Sequence, residues 1–142
     1  MKDYGVGVIL SVGTAILLLV INAEIYQNVM ALALPMILLA LHVVAYKYYL
    51  REKRYGAYSC FVLFLGLVIF FSLPAITQQQ AETKVLSSYD LEQVAVTTVP
   101  VLRSWNPFEP VGAYLVSGIS TSGEELVLFV STKTGEVHET NP

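Results

Sequence analysis

The chain has 142 residues, of which 55% are hydrophobic and only 13% are charged, and its net charge is −3. Soluble domains carry about 25% charged residues, so this composition argues against one soluble core. Residues 77–142 hold eight acids and three cations, whereas residues 1–76 hold three acids and five cations. An acidic second half argues against nucleic acid and against an anionic lipid surface as its partner.

Three segments contain no Asp, Glu, Lys or Arg: residues 4–23, 25–46 and 55–81. Each is long enough to provide the roughly 20 apolar residues that cross a hydrocarbon core about 30 Å thick. One such run is typical of a soluble core, but three in succession are not. We therefore predict a membrane protein with three transmembrane α-helices, at about residues 5–21, 29–46 and 58–76.

The first span is too long for a cleaved signal peptide and lacks a small-x-small cleavage pattern after it, so it is predicted to remain as an anchor. Gly7, Ser11 and Ala15 recur every four residues and share one helix face. Small residues at this spacing let two helices approach closely. The neighbour is either another span of the same chain or a second copy in a homo-oligomer.

The short polar segment 22–28 predicts that the first two spans form an antiparallel helical hairpin. The second span contains Pro35. Proline removes one helical hydrogen bond, so the position predicts a kink.

A basic loop is predicted at residues 47–54, and five tyrosines surround it. Its cations are Lys47, Arg51, Lys53 and Arg54. Short loops rich in Lys and Arg stay in the cytoplasm, and tyrosine favours the headgroup layer. With three crossings, the N-terminus is then cytoplasmic and residues 77–142 form an extracytoplasmic domain.

The second half of the chain is predicted to be a small α+β domain. Residues 87–93 read as a helix start capped by Ser88, and residues 94–102 as a strand that ends near Pro100. Alternating runs at 113–119, 126–131 and 136–140, separated by turn signals, predict an antiparallel β-meander. A meander of this size needs residues 88–104, a partner or the membrane surface to complete its core.

Few residues are candidates for chemistry. His42 lies inside a predicted span, where an ionisable residue is a functional candidate, although it can also reach the interface or a carbonyl one turn back. Cys60 lies near the same interface, but a Cys60–His42 pair lacks a third orienting group. The sequence contains no nucleotide loop, and Cys60, His42 and His138 are too scattered for a metal site. We therefore predict no catalytic residues, no bound cofactor or metal, and no enzymatic activity.

Two large aromatic residues, Trp105 and Phe108, lie in the Pro-rich external segment 105–110. Tryptophan is over-represented at binding hot spots, so both residues are candidates for partner contact. The alternative role is closure of the small sheet.

The sequences YLVSG at 114–118 and GEELVLFVSTKTGEV at 123–137 resemble the terminal hairpin of PepSY-type domains, which are small extracytoplasmic α/β modules of bacteria. In that pattern a hydrophobic strand is followed by Asp, two residues, Thr-Gly and a short strand. Here Ser131 stands at the Asp position, and Thr134 and Gly135 match the close. The resemblance covers about 25 residues and none of the three spans. It implies a non-catalytic module that binds or modulates envelope proteins.

These features predict a non-enzymatic multi-pass protein of the cell membrane. Its extracytoplasmic domain would bind other membrane or envelope proteins, as an accessory or regulatory subunit of an envelope complex. One alternative is a small oligomeric channel or transport component built from the three spans. The other is a membrane enzyme that uses His42 and Cys60.

Overall fold

The computed structural model of the chain describes residues 2–102 and 104–140. Its first three helices are α1 (Lys2–Glu24), α2 (Ala33–Arg51) and α3 (Tyr55–Phe71). Two segments are long and apolar enough to cross a membrane: Gly5–Glu24, with a mean hydropathy of 2.4, and Ala33–Arg51, with 1.5. The third apolar helix, α3, has only 17 residues. At 1.5 Å per residue, the three helices extend about 35, 29 and 26 Å.

The link between α1 and α2 is longer than the sequence predicts and folds back on the end of α1. It comprises residues 25–32, and Gln27 and Asn28 adopt left-handed φ angles of 48° and 66°. Asn22 is buried, and its side-chain oxygen accepts a hydrogen bond of 3.0 Å from the backbone N–H of Met30. The predicted antiparallel hairpin is present, with α1 packed along α2.

Pro35 does not kink α2, so that prediction is wrong. The helix begins at Ala33, which places Pro35 in its first turn. Backbone N–H groups in the first turn have no partner inside the helix, so the missing N–H of proline costs nothing there. The proline ring is fully buried.

The predicted basic loop is mostly helical. Residues 47–51 belong to the last turns of α2, and only residues 52–54 separate α2 from α3. Lys53 makes the turn with a left-handed φ of 52°. Consequently α2 and α3 also pack side by side, and the three apolar helices form one bundle.

A fourth helix, α4 (Gln78–Ser88), lies between the predicted third span and the helix start predicted at residues 87–93. Thr77 and Gln80 form a capping box: the Thr77 hydroxyl accepts from the N–H of Gln80 at 3.2 Å, and the Gln80 side chain accepts from the N–H of Thr77 at 2.9 Å. The prediction of a helix start capped by Ser88 is therefore wrong, because Ser88 ends the helix. The stronger capping signal is the capping box that begins at Thr77, eleven residues before Ser88.

The remaining residues form a four-stranded antiparallel sheet in the order β1-β2-β3-β4. The strands are β1 (Leu91–Pro100), β2 (Gly112–Ser120), β3 (Glu125–Val130) and β4 (Val137–Glu139). The predicted meander is confirmed, and the segment before it supplies the fourth strand. A bulge in β1 between Glu92 and Ala95 places Gln93 at a φ of 53°.

One face of the sheet packs on α4 and forms the first apolar core. Ala81 and Val85 of α4 contact this face. The core also contains these buried side chains: Val29, Leu91, Tyr114, Val116, Leu128 and Val130. Val29 comes from the α1–α2 link, so the link is part of the core of the sheet.

A second apolar cluster lies within the helix bundle and contains these buried residues: Leu18, Met30, Leu38, Leu39, Leu65 and Val68. Three backbone hydrogen bonds connect the bundle to the rest of the fold. Val111 N–H donates to Val29 C=O at 2.9 Å, Gln78 N–H to Ile25 C=O at 3.2 Å, and Ala75 N–H to Thr132 C=O at 2.8 Å. The sheet and α4 are therefore held directly against the end of the bundle where α1 meets α2.

Candidate functional site

A chain of three hydrogen-bonded side chains crosses the helix bundle, with one residue from each of α1, α2 and α3. Ser11 Oγ lies 2.8 Å from His42 Nδ1, and His42 Nε2 lies 2.9 Å from the Tyr58 hydroxyl. Ser11 and His42 are only 4% and 6% exposed. A buried polar group without partners is costly, so the two hydroxyls explain how α2 accommodates a histidine within an apolar segment.

The two ring nitrogens of a neutral imidazole have different roles, because one donates and the other accepts. The two hydroxyls match either tautomer, since each hydroxyl can donate or accept. Aromatic rings surround the imidazole. Phe61 stacks on it with ring centroids 6.2 Å apart, and Tyr46 lies edge-on to Tyr58 at 5.7 Å. The imidazole is thus held in one position by bonds on both sides and by rings on its face.

The small-residue face of α1 allows this close packing. A Cβ atom on Gly7 would lie 2.9 Å from Cδ1 of Tyr46, so only glycine fits between the two helices at that level. One turn further along α1, Ser11 meets His42, which lies one turn before Tyr46 on the antiparallel α2. One more turn along, Ala15 is half-buried and packs against the bundle cluster. Gly7 and Ser11 therefore face α2 of the same chain.

The pair predicted as a possible catalytic centre is not formed. Cys60 is exposed on α3, and both ring nitrogens of His42 are engaged by Ser11 and Tyr58. Sequence reasoning missed Tyr58 as a partner and assigned it to the headgroup layer. The available signal was its position, because Tyr58 lies about one turn after the turn at residues 52–54 and His42 between two and three turns before it, so both lie in the half of the bundle near that turn.

The polar chain has the groups needed to fix the relative position of three helices. The three charge-free segments supply no carboxylate to this polar chain. Within residues 2–102 and 104–140, no three His, Cys, Asp or Glu side chains come together as a metal site. Buried side-chain polar atoms in this part of the chain all have hydrogen-bond partners.

The four cations predicted to set the membrane orientation lie at the opposite end of the bundle from the sheet. Arg51, Lys53 and Arg54 are exposed, and Lys47 is half-buried. Arg54 forms an exposed ion pair with Glu52, with 3.8 Å between the charged atoms. An exposed pair of this kind stabilises little.

The two aromatic candidates for partner contact have different surroundings. Phe108 packs edge-on against Phe71, the last residue of α3, with ring centroids 6.2 Å apart. Trp105 is fully exposed, at 103% of its reference area. Closure of the sheet is therefore the wrong role for Trp105, and Phe108 contacts the bundle rather than the sheet.

The sheet face opposite α4 carries half-buried apolar side chains, among them Leu115, Val127 and Phe129. An open cleft of about 810 Å³ begins on this face. Its apolar lining is Leu115, Leu126 and Val127, and its acidic lining is Glu124, Glu125 and Glu139.

Two titratable groups outside the apolar helices are shifted by their surroundings. The Lys133 ammonium, with help from Ser104, lowers the pKa of Glu109, and the same contact ties the β1–β2 connection to the β3–β4 turn. Burial, with a smaller contribution from Tyr26, raises the pKa of Tyr114 to about 12. The Tyr114 hydroxyl donates to the carbonyl of Tyr26 at 3.2 Å, which fixes the sheet to the α1–α2 link.

The β3–β4 turn shows how Ser131 serves at the position where the PepSY-type pattern has Asp. Its hydroxyl accepts from the N–H groups of Lys133 and Thr134, each at 3.3 Å, as an Asp carboxylate does in an Asx turn. Gly135 follows at a φ of 72°.

In comparisons with known proteins, the chain matches no family model, no curated protein and no solved structure. The resemblance to PepSY-type domains stays a prediction based on this hairpin.

Proposed function

We propose that the chain is a multi-pass membrane protein whose bundle of α1–α3 crosses the bilayer. The observation that supports this most is the surface of the bundle. Only 22% of residues in the apolar window of α1 and 17% in that of α2 are buried. The core helix of a soluble protein is mostly buried. The outward side chains are large and apolar, for example Ile9, Leu63 and Phe70, which are 72%, 68% and 65% exposed.

The third crossing in this proposal is α3. Its length of about 26 Å is a few ångströms less than a hydrocarbon core of about 30 Å. A short helix is accommodated by local thinning of the bilayer and by flanking residues that reach the interface. Tyr55 at one end of α3 and Phe71 at the other are both exposed and fit that role.

The proposed orientation places the basic turn in the cytoplasm and residues 77–142 outside. The packing supports one part of it, because the α1–α2 link and the sheet share a core. The link and the sheet must then lie on the same side of the bilayer, and the turn at residues 52–54 lies at the other end of the bundle. The cations around that turn select the cytoplasmic side.

The function that we propose is that of an accessory or regulatory subunit of an envelope complex. The bundle holds the sheet rigidly at the membrane, and the open cleft beside Leu115 and Val127 faces away from α4. Its acidic lining favours a partner segment with Lys or Arg next to an apolar residue. The partner would be another membrane or envelope protein.

Membrane insertion and orientation are tested with single-cysteine variants in a Cys60→Ala background. Alkaline carbonate should leave the protein in the membrane fraction. An impermeant thiol reagent applied to intact cells should label Ser122→Cys, and it should label Glu52→Cys only after permeabilisation. Labelling of residue 52 but not of residue 122 in intact cells would invert the orientation and remove the envelope role.

The accessory role is tested by purification in mild detergent, in which a stoichiometric partner should remain bound. Thr97 is exposed on the cleft side of the sheet, where it pairs with Leu115. Thr97→Arg should reduce partner retention at least tenfold, whereas Gln79→Arg on the exposed side of α4 should not. Equal retention by both variants would exclude the cleft face as the docking surface.

The described contacts favour neither alternative function. A channel formed through the small-residue face would need Gly7 and Ser11 to meet a second copy, but α2 already covers them. An enzyme using His42 and Cys60 would need a pair that the structure does not form.

A further inference from the structure

The connection between β1 and β2, residues 101–111, lies where the bundle ends rather than at the far side of the sheet. The backbone bond from Val101 N–H to Val111 C=O, at 3.3 Å, closes its base. Val111 donates in turn to the carbonyl of Val29, four residues before α2 begins. We name residues 101–111 the interface loop.

The interface loop contacts the ends of two apolar helices. Phe108 packs on Phe71 at the end of α3 and also contacts the bundle cluster. A crevice lined by Ala31, Leu32 and Ala33 separates other parts of the loop from the start of α2. Under the proposed topology, the start of α2 and the end of α3 are the points where the chain enters and leaves the hydrocarbon. The loop therefore lies at the level of the headgroups.

Two large apolar side chains of the loop are almost completely exposed to solvent in the part of the chain that the structure describes. Leu102 is 99% exposed and Trp105 is 103% exposed. Phe70 and Phe71, beside Phe108 at the end of α3, are 65% and 59% exposed. The exposed apolar end of α3 thus contacts the loop at Phe108. Removal of these side chains from water is favourable in proportion to the apolar area that is covered.

We propose that the interface loop is a second membrane attachment, with Trp105 and Leu102 immersed in the extracytoplasmic interface of the bilayer. This inference rests on the proposed membrane function and adds a lipid partner for the loop. Lipid is favoured over a protein partner because the loop contacts the exposed apolar end of α3, which lies at the bilayer surface under the proposed topology. Tryptophan prefers this layer, where its ring is shielded and its N–H stays hydrated.

The attachment has a consequence for the whole sheet. The interface loop and the α1–α2 link would fix one end of β2 to the membrane, while the β2–β3 turn at residues 121–123 lies at the other end of that strand. The cleft and its acidic lining lie toward the β2–β3 turn. The loop would therefore set the height at which the cleft is presented to a partner.

Trp105 is the only tryptophan in the chain, so its fluorescence reports on this loop alone. The full-length protein is placed in phosphatidylcholine nanodiscs without any other protein. We expect blue-shifted emission, protection from iodide, and loss of most of the emission when the lipids are brominated near the headgroup end of their acyl chains. The control is Trp105→Phe combined with Thr121→Trp, which moves the reporter to the exposed β2–β3 turn. Its emission should be open to iodide and insensitive to brominated lipid.

Iodide access and insensitivity to brominated lipid at Trp105, equal to those of the control, would overturn the inference. Shielding of Trp105 that appears only when a co-purified protein is added would also overturn it, in favour of a protein contact. Carbonate extraction of the same protein is a separate readout. If the protein stays in the membrane while Trp105 is aqueous, only the loop attachment fails. Release by carbonate would remove the membrane function and the attachment together.

Discussion

The helix bundle and the sheet have opposite distributions of polar and apolar side chains. In the bundle, Ser11 and His42 are buried while Ile9 and Leu63 are 72% and 68% exposed. In the sheet, Tyr114, Val116, Leu128 and Val130 are completely buried, and the acidic residues lie outside. A sheet with α4 on one face follows the usual pattern of a protein in water. The bundle follows the pattern of a protein in lipid, where small and polar residues join helices and apolar residues face outward.

This difference indicates that the two regions of the chain are stabilised in different ways. The sheet is stabilised by removal of apolar area from water. If lipid surrounds the bundle, removal of apolar area from water does not hold its helices together. The relative position of the helices then depends more on the close approach at Gly7 and on the hydrogen bonds of His42. The α1–α2 link contributes buried residues to both regions, with Met30 in the bundle cluster and Val29 in the core of the sheet.

The largest expected effect comes from breaking the segment that joins the two regions. Val29 is 1% exposed and contacts the strand residue Gly112. Val29→Asp places an uncompensated charge in the apolar core and should destabilise the sheet by about 3–5 kcal/mol. Limited proteolysis in detergent should then cleave residues 77–142 much faster while the bundle persists.

The matched control is Asn28→Asp, which adds the same charge at the neighbouring exposed residue. It should leave the proteolysis rate at the wild-type value. If Val29→Asp and Asn28→Asp behaved alike, the link would not be part of the core of the sheet, and the two regions would be joined only by the chain.

The next effect tests the polar interior of the bundle. His42→Ala leaves the Ser11 and Tyr58 hydroxyls without their partner, which should cost about 1–3 kcal/mol. Tyr58→Phe removes one bond and should cost less, about 0.6 kcal/mol by the average for helix–helix bonds in membranes. Heating in detergent followed by size-exclusion chromatography ranks the variants by the temperature at which each loses its monodisperse peak.

Cys60→Ala is the control for this series, because Cys60 is exposed on the same helix as Tyr58. It should match the wild type. His42→Leu separates packing from bonding, since it fills space but forms neither bond. Wild-type stability of His42→Leu would show that the bundle does not depend on its polar chain, and the contrast between the two regions would be weaker.

How much the sequence predicts differs between the two regions for physical reasons. Three long charge-free segments indicate the three apolar helices, and the alternation of apolar residues indicates the later strands. The residues of the capping box, Thr77 and Gln80, are present in the sequence, but the sequence analysis placed a cap only at Ser88. The prediction of a kink at Pro35 is wrong because the start of a helix is hard to place within an apolar run. A proline two residues after the start of a helix replaces no hydrogen-bonded N–H group.

The sites were less predictable because they depend on contacts between distant segments. The spacing of Gly7, Ser11 and Ala15 identifies a packing face, but it cannot say which helix covers that face. The bond between His42 and Tyr58 requires the register between α2 and α3, which depends on how many residues form the turn. The burial of Val29 beneath the sheet joins residues more than eighty positions apart, and the sequence analysis instead placed Val29 at the start of the second predicted span.

A smaller effect is expected at Tyr114, whose hydroxyl joins the core of the sheet to the α1–α2 link. Tyr114→Phe removes the bond to the carbonyl of Tyr26 and should cost about 0.5–1.5 kcal/mol at neutral pH. Burial raises the pKa of Tyr114 to about 12, from an ordinary value of 10.0. Because the folded value is the higher one, this contribution is complete below pH 10 and is lost as the pH rises through 12.

The unfolding free energy, measured from pH 8 to pH 12, checks this prediction. The advantage of the wild type over Tyr114→Phe should shrink between pH 10 and 12. Tyr55→Phe, which removes an exposed hydroxyl from the bundle, should follow the wild-type curve. A constant difference between the wild type and Tyr114→Phe across this range would mean that the Tyr114 hydroxyl is not buried in the folded protein.

The smallest effect is expected at the surface of the sheet, where Lys133 holds the carboxylate of Glu109 beside the interface loop. The contact lowers the pKa of Glu109, so its contribution to stability is present above the ordinary value of 4.5 and is lost as the pH falls through the lowered value. Lys133→Gln should return the pKa of Glu109 toward 4.5, as measured by carboxyl NMR, whereas Lys84→Gln, whose cation contacts the Gly135 carbonyl instead, should not. An unchanged titration of Glu109 in Lys133→Gln would separate the interface loop from the β3–β4 turn, leaving Phe108 and Val111 as its attachments to the fold.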